Sequence, residues 1–337
     1  MHVLLLGGTW FLGRAVARHA LANDCEVTTF NRGQSTPYLP GTLAVHGDRA
    51  SADDFERLAR YGPWDVVIDT SASDTAPRHV LAGARALAEV TDRYIYVSSV
   101  SVYRDWGAGP LTESSATYDT PADAGPEYYE GLDAAVQDGM RKAGCERAVT
   151  EAFGADRTTI LRPGSILGPG EYIGRLPWWL RRCARGGEIL APREPDRPVQ
   201  PIDARDVAAF AVSAPAGVFN VTAPRGHATM RDLLTACLDA TGYQGRLVWT
   251  SEEVLARHGV RGRTELPLWP GTDGVVDVSA ALEAGLTCRP LDRTVADTWA
   301  WLRDGADSVA GQQAGWERHG IAPDKEAAIL AEVGLTG

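Results

Sequence analysis

The first thirteen residues constrain the fold more than any other stretch. Val3-Leu4-Leu5-Leu6 is an uninterrupted apolar run, Gly7-Gly8-Thr9-Trp10-Phe11-Leu12-Gly13 follows it, and residues 11–21 then carry apolar side chains at helical spacing. An apolar run without alternation suits a strand covered on both faces, the usual state of a strand in a parallel sheet. Successive parallel strands need a crossover, which is right-handed and packs its helix back onto the sheet. Glycines at the join permit a tight turn. The helix start directs N–H groups and positive partial charge at whatever group sits there. Strand, glycine turn and amphipathic helix in that order predict a doubly wound sheet that opens with a phosphate-binding turn.

The alternation continues. Residues 26–30, 42–45, 65–69, 94–98 and 158–161 read as further strands, and 51–59, 78–90 and 138–153 as helices, the first opened by Ser51 or by Asp53 and Asp54. Residues 104–137 break the pattern: they are rich in Pro, Gly, acids, Thr and Tyr and lack an apolar period. A segment that long is usually functional, and its composition suits a lid over substrate. Helices are expected at 176–185, 204–213, 230–241, 279–284 and 295–302, with a strand at 218–221. The expected architecture is α/β, a Rossmann-type doubly wound parallel sheet with a smaller C-terminal substrate lobe. Residues 1–165, with 200–222 returning, form the dinucleotide-binding domain; 166–199 and 223–337 form the lobe.

Composition excludes several classes. Forty-four acidic residues against 33 Lys and Arg give a net charge of -11, which argues against nucleic acid as a partner. No run of about 18 apolar residues is present, so no membrane span is expected, and the N-terminal apolar run is too short for a signal segment. The five cysteines are scattered and form no C-x-x-C pair, which points to reduced thiols, a cytoplasmic location and no metal site. The expected partner is a small-molecule substrate. The oligomeric state stays open, with a homodimer as one option.

The motifs resemble those of extended and atypical short-chain dehydrogenases/reductases, the group that includes nucleotide-sugar epimerases and dehydratases. The resemblance rests on Gly7 to Gly13, Gly47-Asp48-Arg49, Asp69-Thr70-Ser71, Ser98-Ser99-Val100-Ser101-Val102-Tyr103, Lys142, and Leu161-Arg162-Pro163-Gly164-Ser165. It runs from about residue 1 to 303. It implies a nicotinamide dinucleotide held by Gly7, Thr9, Trp10, Phe11, Leu12 and Gly13, with Asp48 facing the adenine and Arg49, Thr70, Ser71, Lys142 and Pro163 also on the cofactor. Trp10 stands where the usual pattern has a glycine. The second strand ends in Asn31 and Arg32, where an NAD-preferring site would place an acid for the ribose 2′-hydroxyl. Arg suits a 2′-phosphate, so NADP(H) is the expected cofactor and NAD(H) the alternative. The plainer reading of Arg32 is a solvated surface side chain.

In that family the proton chemistry uses a Tyr one helical turn before the Lys. Here Asp138 holds that place, i and i+4 with Lys142. An aspartate is ionised at neutral pH and does not donate a phenolic proton. Four readings stay open: an exposed Asp–Lys pair with no further role, Asp138 as base or orienting charge, a phenol supplied by Tyr128 or Tyr129, or loss of the acid–base step. The resemblance implies that Ser99 bonds the substrate oxygen and that Ser101, Gly164, Tyr172, Trp178 and Trp179 line the substrate pocket. Val100-Ser101 occupies the place of the dehydratases' Asp-Glu pair, which argues against sugar 4,6-dehydration. The function expected is hydride transfer or epimerisation at a secondary alcohol or ketone of a small polar metabolite. The second reading is a non-catalytic binding protein sensing NADP(H) or a metabolite; the charge disfavours its RNA-binding form.

Overall fold

In the computed structural model, which describes residues 1–34, 39–242, 245–269, 274–304 and 319–336, the N-terminal strand β1 (His2–Leu6) lies inside a seven-stranded sheet. Its companions are β2 (Glu26–Asn31), β3 (Thr42–His46), β4 (Trp64–Asp69), β5 (Thr91–Val97), β6 (Thr158–Pro163) and β11 (Gly217–Val221); the strands β7 (Ile166–Leu167), β8 (Glu188–Pro192), β9 (Pro198–Val199), β10 (Ile202–Asp203), β12 (Ala228–Thr229) and β13 (Arg246–Thr250) pair in separate two-stranded sheets. The order is β3-β2-β1-β4-β5-β6-β11, with every pairing parallel. Val3–Leu6 and Val66–Ile68 are fully buried, which is why these strands read as continuous apolar runs. Helix α1 (Phe11–Ala22) packs against α6 (Ala204–Ser213). Helix α3 (Pro77–Leu87) packs against α2 (Ala52–Ala59) and α4 (Ala134–Phe153). Leu4, Phe30, Phe55, Val67, Tyr94, Tyr96 and Phe153 share one core cluster with residues of α3 and α4.

Local chemistry sets the helix starts. Ser51 caps α2 by accepting the Asp54 N–H at 3.2 Å. Asp133 does the same for α4, accepting from Ala135 at 2.9 Å. Helix α4 thus begins one turn before the expected 138, and Asp138 lies inside it. Residues 133–135 are exposed and carry no apolar period that would reveal the extra turn. The stretch before α4 is tied down in places. Tyr103 bridges Thr117 and Leu111 bridges Val276, and Leu111, Thr120 and Tyr129 are buried.

Two compact units emerge. The first comprises residues 1–164, 204–222 and 276–287, the second 165–203, 223–275 and 288–337. Residues 276–287 join the first unit because Asp277 N–H donates to Leu111 O at 2.8 Å and α9 (Ser279–Glu283) packs against β11. In the second unit β8 (Glu188–Pro192) pairs in parallel with β13 (Arg246–Thr250), and α5 (Arg175–Ala184) and α10 (Leu291–Arg303) both pack against α7 (Met230–Thr241). The C-terminal helix α11 (Pro323–Thr336) is pinned by a buried ion pair. Arg182 Nε donates to both Glu326 oxygens at 2.8 Å. Glu171 is fully buried and accepts the Arg175 and Leu176 N–H groups at 2.8 and 3.2 Å, capping α5. Burial pushes its carboxyl up to about 7, against the opposing pull of Arg175 and the two N–H groups. The pair β8–β13, α8 (Glu252–Arg257) and α11 are elements the sequence reading does not anticipate. No described helix is long and apolar enough to cross a membrane.

Candidate cofactor and catalytic site

The glycine turn needs its glycines. Gly7 and Gly8 have φ of 110° and 93°, a region that costs a side chain free energy. A Cβ on Gly13 would lie 2.8 Å from the Gly8 nitrogen and 2.7 Å from Thr70 Oγ1. Trp10, by contrast, is the N-cap of α1 with ordinary extended dihedrals (φ -115°, ψ 151°), so a bulky residue is accommodated where the family pattern has glycine. Thr9, Phe11 and Leu12 are buried beside it. Asn31 serves the turn directly: its Nδ2 donates to Gly7 O at 3.2 Å and its Oδ1 accepts from Gly33 N–H at 2.9 Å. Arg32 follows, exposed, at the carboxyl end of β2. Ligands of doubly wound sheets bind at that edge.

Asp48 is exposed and its carboxylate accepts from Ala50 N–H at 2.9 Å. Arg49 turns inward. Its guanidinium grips the fully buried Asp69 with two bonds of 2.5 and 2.6 Å and reaches Ser71 Oγ at 2.6 Å. Asp69 also accepts from Tyr94 OH at 2.8 Å and Ser71 N–H at 3.1 Å. Burial raises the Asp69 carboxyl, but Arg49 and these donors outweigh it and hold the group below its ordinary value. Burial and the Asp69 charge push the Tyr94 phenol well up. Thr70 and Ser71 lie against Gly7, whose added Cβ would meet them at 2.9 and 3.0 Å.

Ser99 caps the 3-10 turn Val100–Val102 and accepts from Ser101 N–H at 3.1 Å. Ser101 Oγ donates to Asp138 at 2.8 Å, and Arg141 donates to the other Asp138 oxygen at 3.0 Å. The Lys142 amine donates to Val97 O at 3.1 Å and lies 5.3 Å from the Tyr96 ring centre. Burial pulls its pKa down, partly offset by Asp138, Asp69 and the Cys145 thiol. Asp138 is thus held as an acceptor between a hydroxyl and a guanidinium. Of the two loop phenols, Tyr128 is exposed and donates to Asp119 O at 3.3 Å, while Tyr129 is buried, which raises its pKa.

One network escaped the sequence reading. Arg162 donates to both oxygens of Glu146 at 2.9 and 2.6 Å and to Tyr103 OH at 3.0 Å. Ser98 donates to Glu146 at 2.5 Å, and Tyr103 OH donates to Asn220 at 2.6 Å. Its signal was present: Glu146 is one further turn beyond Asp138 and Lys142 on the same face of α4. Tyr118 also went unnoticed. Its ring lies against Gly139, where an added Cβ would be 2.6 Å away. Pro163 pairs with Val221 inside the sheet, and Gly164 N–H donates to Val221 O at 3.4 Å.

The remaining expected pocket residues belong to the second unit. Tyr172 is half-buried. Trp178 is half-buried too, with Gly320 set directly against its indole. Trp179 is fully buried, donates to Pro267 O at 2.7 Å and packs edge-on against Trp178. It is a core residue rather than a lining one, because no surface remains for a ligand. Among the described residues no three His, Cys, Asp or Glu side chains are grouped as metal ligands.

A model of the NAD dependent epimerase/dehydratase family matches residues 3–222. The chain belongs to that family. A curated relative, chloroplast stem-loop binding protein of 41 kDa b from Arabidopsis thaliana, is 25% identical over 261 residues, which cover 72% of this chain and 63% of the relative. The chain thus matches less than two thirds of that protein's length. Among solved structures, the Bordetella bronchiseptica enzyme WbmH in complex with NAD+ superposes with a TM-score of 0.65 at 15% identity, covering 90% of this chain and 98% of its own. UDP-glucose 4-epimerase from Thermotoga maritima, solved with UDP-glucose, gives 0.66 at 16% identity over 90% and 99%. These two share the fold. The family match ends at the last residue of the segment 204–222 that carries β11, and residues 276–287 of the first unit lie beyond it.

Proposed function

We propose that the protein is an NAD(P)-dependent oxidoreductase or epimerase acting on a secondary alcohol or ketone of a small polar metabolite. The observation that carries this reading is the glycine turn. Three glycines, each required by dihedral angle or contact, join an inner strand of a seven-stranded parallel sheet, β1, to helix α1. Gly7, Thr9, Trp10, Phe11, Leu12 and Gly13 would hold the pyrophosphate, with Asp48, Thr70, Ser71, Pro163 and Lys142 along the rest of the cofactor. Exposed Arg32, with no acid beside it, favours NADP(H); NAD(H) is the alternative. The first unit is assigned to the cofactor and the second to substrate, through Tyr172 and Trp178. Five scattered cysteines with no C-x-x-C pair suit a reducing compartment such as the cytoplasm.

The cofactor would supply or accept a hydride. The chain's own residues would handle the proton. Ser99 would orient the substrate oxygen, and Lys142 would bond the cofactor ribose. Asp138, held by Ser101 and Arg141, would accept a proton or orient charge in place of the family's Tyr. The same arrangement supports a second reading: a carboxylate already occupied by two donors is also what a site that binds cofactor without turnover would contain.

Titration of NADPH and NADH fluorescence with the protein, followed by a panel of carbonyl compounds and sugar nucleotides, separates the two. Binding with substrate-dependent cofactor oxidation or epimerisation is the expected result. Binding with no turnover on the panel favours the sensor reading, and no binding overturns both.

A further inference from the structure

We infer that Arg49 and Asp69 form a positioning latch for the adenine side of the cofactor site, so that Arg49 acts on the cofactor through Asp48 and not by touching it. This rests on the cofactor reading above. Asp48 sits in a three-residue loop fixed at both ends. At one end Gly47 N–H donates to Asn31 O at 3.1 Å, and the glycine lies against Phe30, where an added Cβ would be 2.4 Å from the ring. At the other end Arg49 is drawn inward onto Asp69 and Ser71. Asp48 N–H donates to Asp54 at 2.8 Å, so the loop's middle is oriented as well.

Three features mark the latch as more than a surface ion pair. Asp69 is fully buried, and only 13% of the Arg49 side chain is exposed. All the strong groups around Asp69 point at one carboxylate: a guanidinium, a phenol and a backbone N–H. Its far side is the glycine turn itself, through Thr70 and Ser71 against Gly7. One buried pair therefore joins the loop that carries Asp48 to the turn that would take the pyrophosphate. Two charges kept out of water are costly to separate. The loop can move only if the pair breaks, so adenine and phosphate contacts keep a fixed spacing. The same geometry removes Arg49 as a reader of the 2′-phosphate, because both terminal nitrogens are engaged by Asp69 and Ser71 and its Nε is buried.

The test is binding of NADPH and NADH, by fluorescence, to the full chain carrying Arg49→Met together with Asp69→Asn. That pair of changes removes both charges at once, and the new amide still accepts the Tyr94 hydroxyl. With an unchanged circular dichroism spectrum, both cofactors should bind at least tenfold more weakly. A second variant, Arg49→Lys, keeps the charge but not the fork, and should recover part of the loss for both. Wild-type affinity in the double variant overturns the latch. Loss confined to NADPH overturns it too, since Arg49 would then read the phosphate. If the double variant does not fold, Arg49→Lys decides alone: weaker binding of both cofactors supports the latch, unchanged binding refutes it. Failure of the wild-type protein to bind either cofactor is the separate result that sinks the cofactor reading, and the latch with it.

Discussion

Replacing Glu171 by Gln should change how the second unit responds to pH. The carboxyl is fully buried at the start of α5 and its pKa is pushed from 4.5 to about 7 by burial. The unfolded chain sheds this proton near the ordinary value, while the folded chain keeps it until about neutrality. Between those limits the unfolded state binds fewer protons, so stability falls as pH rises and stops falling above about pH 7. The gap corresponds to about 3 kcal/mol in full, of which about 2 kcal/mol is lost between about pH 5.5 and about pH 7.5. Gln has no proton to lose. It keeps an acceptor for one of the two N–H groups of Arg175 and Leu176 and gives up the other, a constant cost of about 1 kcal/mol. Urea unfolding followed by tryptophan fluorescence, with Trp178 and Trp179 on the same helix, gives both stabilities at each pH. Glu171→Gln should gain about 2 kcal/mol on wild type over that interval. Parallel pH profiles for the two proteins, or a wild type that grows more stable relative to the variant with rising pH, would refute the argument.

Glu146→Ala leaves Arg162 buried without its carboxylate partner and should cost about 3–5 kcal/mol, read as a fall in melting temperature of at least about 6 °C; Glu146→Gln should cost less. Gly13→Ala puts a methyl group 2.8 Å from the Gly8 nitrogen and should weaken NADPH binding at least about tenfold, the scale of overpacking by one group. Arg32→Ala should cost NADP(H) about 1.5–3 kcal/mol of affinity and leave NAD(H) unchanged; titration of both cofactors checks it, and equal losses would contradict the assignment. Asp138→Asn should cut turnover by about 10²-fold or more with NADPH affinity kept. If Tyr128→Phe or Tyr129→Phe carries that loss instead, the phenol comes from the loop.

The sheet was legible because its strands are buried on both faces and so announce themselves as apolar runs; β1, β4 and β5 needed no partner to be recognised. Elements that depend on a distant partner were harder. β8 and β13 form a two-stranded sheet of their own, and each makes sense only beside the other. The start of α4 was hidden because Asp133 marks it while the residues after it face water. In the site, adjacency in sequence does not reveal partners. Arg49 was assigned to the cofactor as the neighbour of Asp48, and only the fold brings Asp69 to meet it across twenty positions. The helical spacing of Asp138 and Lys142 was read correctly, but spacing does not choose partners. Asp138 meets Ser101 and Arg141, while the lysine amine goes to Val97 O. Two adjacent tryptophans looked alike in sequence, yet helix phase buries Trp179 fully and leaves Trp178 part-exposed.

The return of residues 276–287 to the first unit has a consequence for how this chain is made. Asn220, fully buried on β11, gives one amide hydrogen to Asp277 O at 2.9 Å. During synthesis that carbonyl emerges more than fifty residues after the strand it serves. Until then the nascent sheet would carry an edge with an unmet buried donor, and the intervening segment must be threaded out before the edge is closed. A fragment that stops at residue 222, where the family match stops, is therefore an unfinished object. A designer who wants the first unit by itself has two joins to make, residue 164 to residue 204 and residue 222 to residue 276.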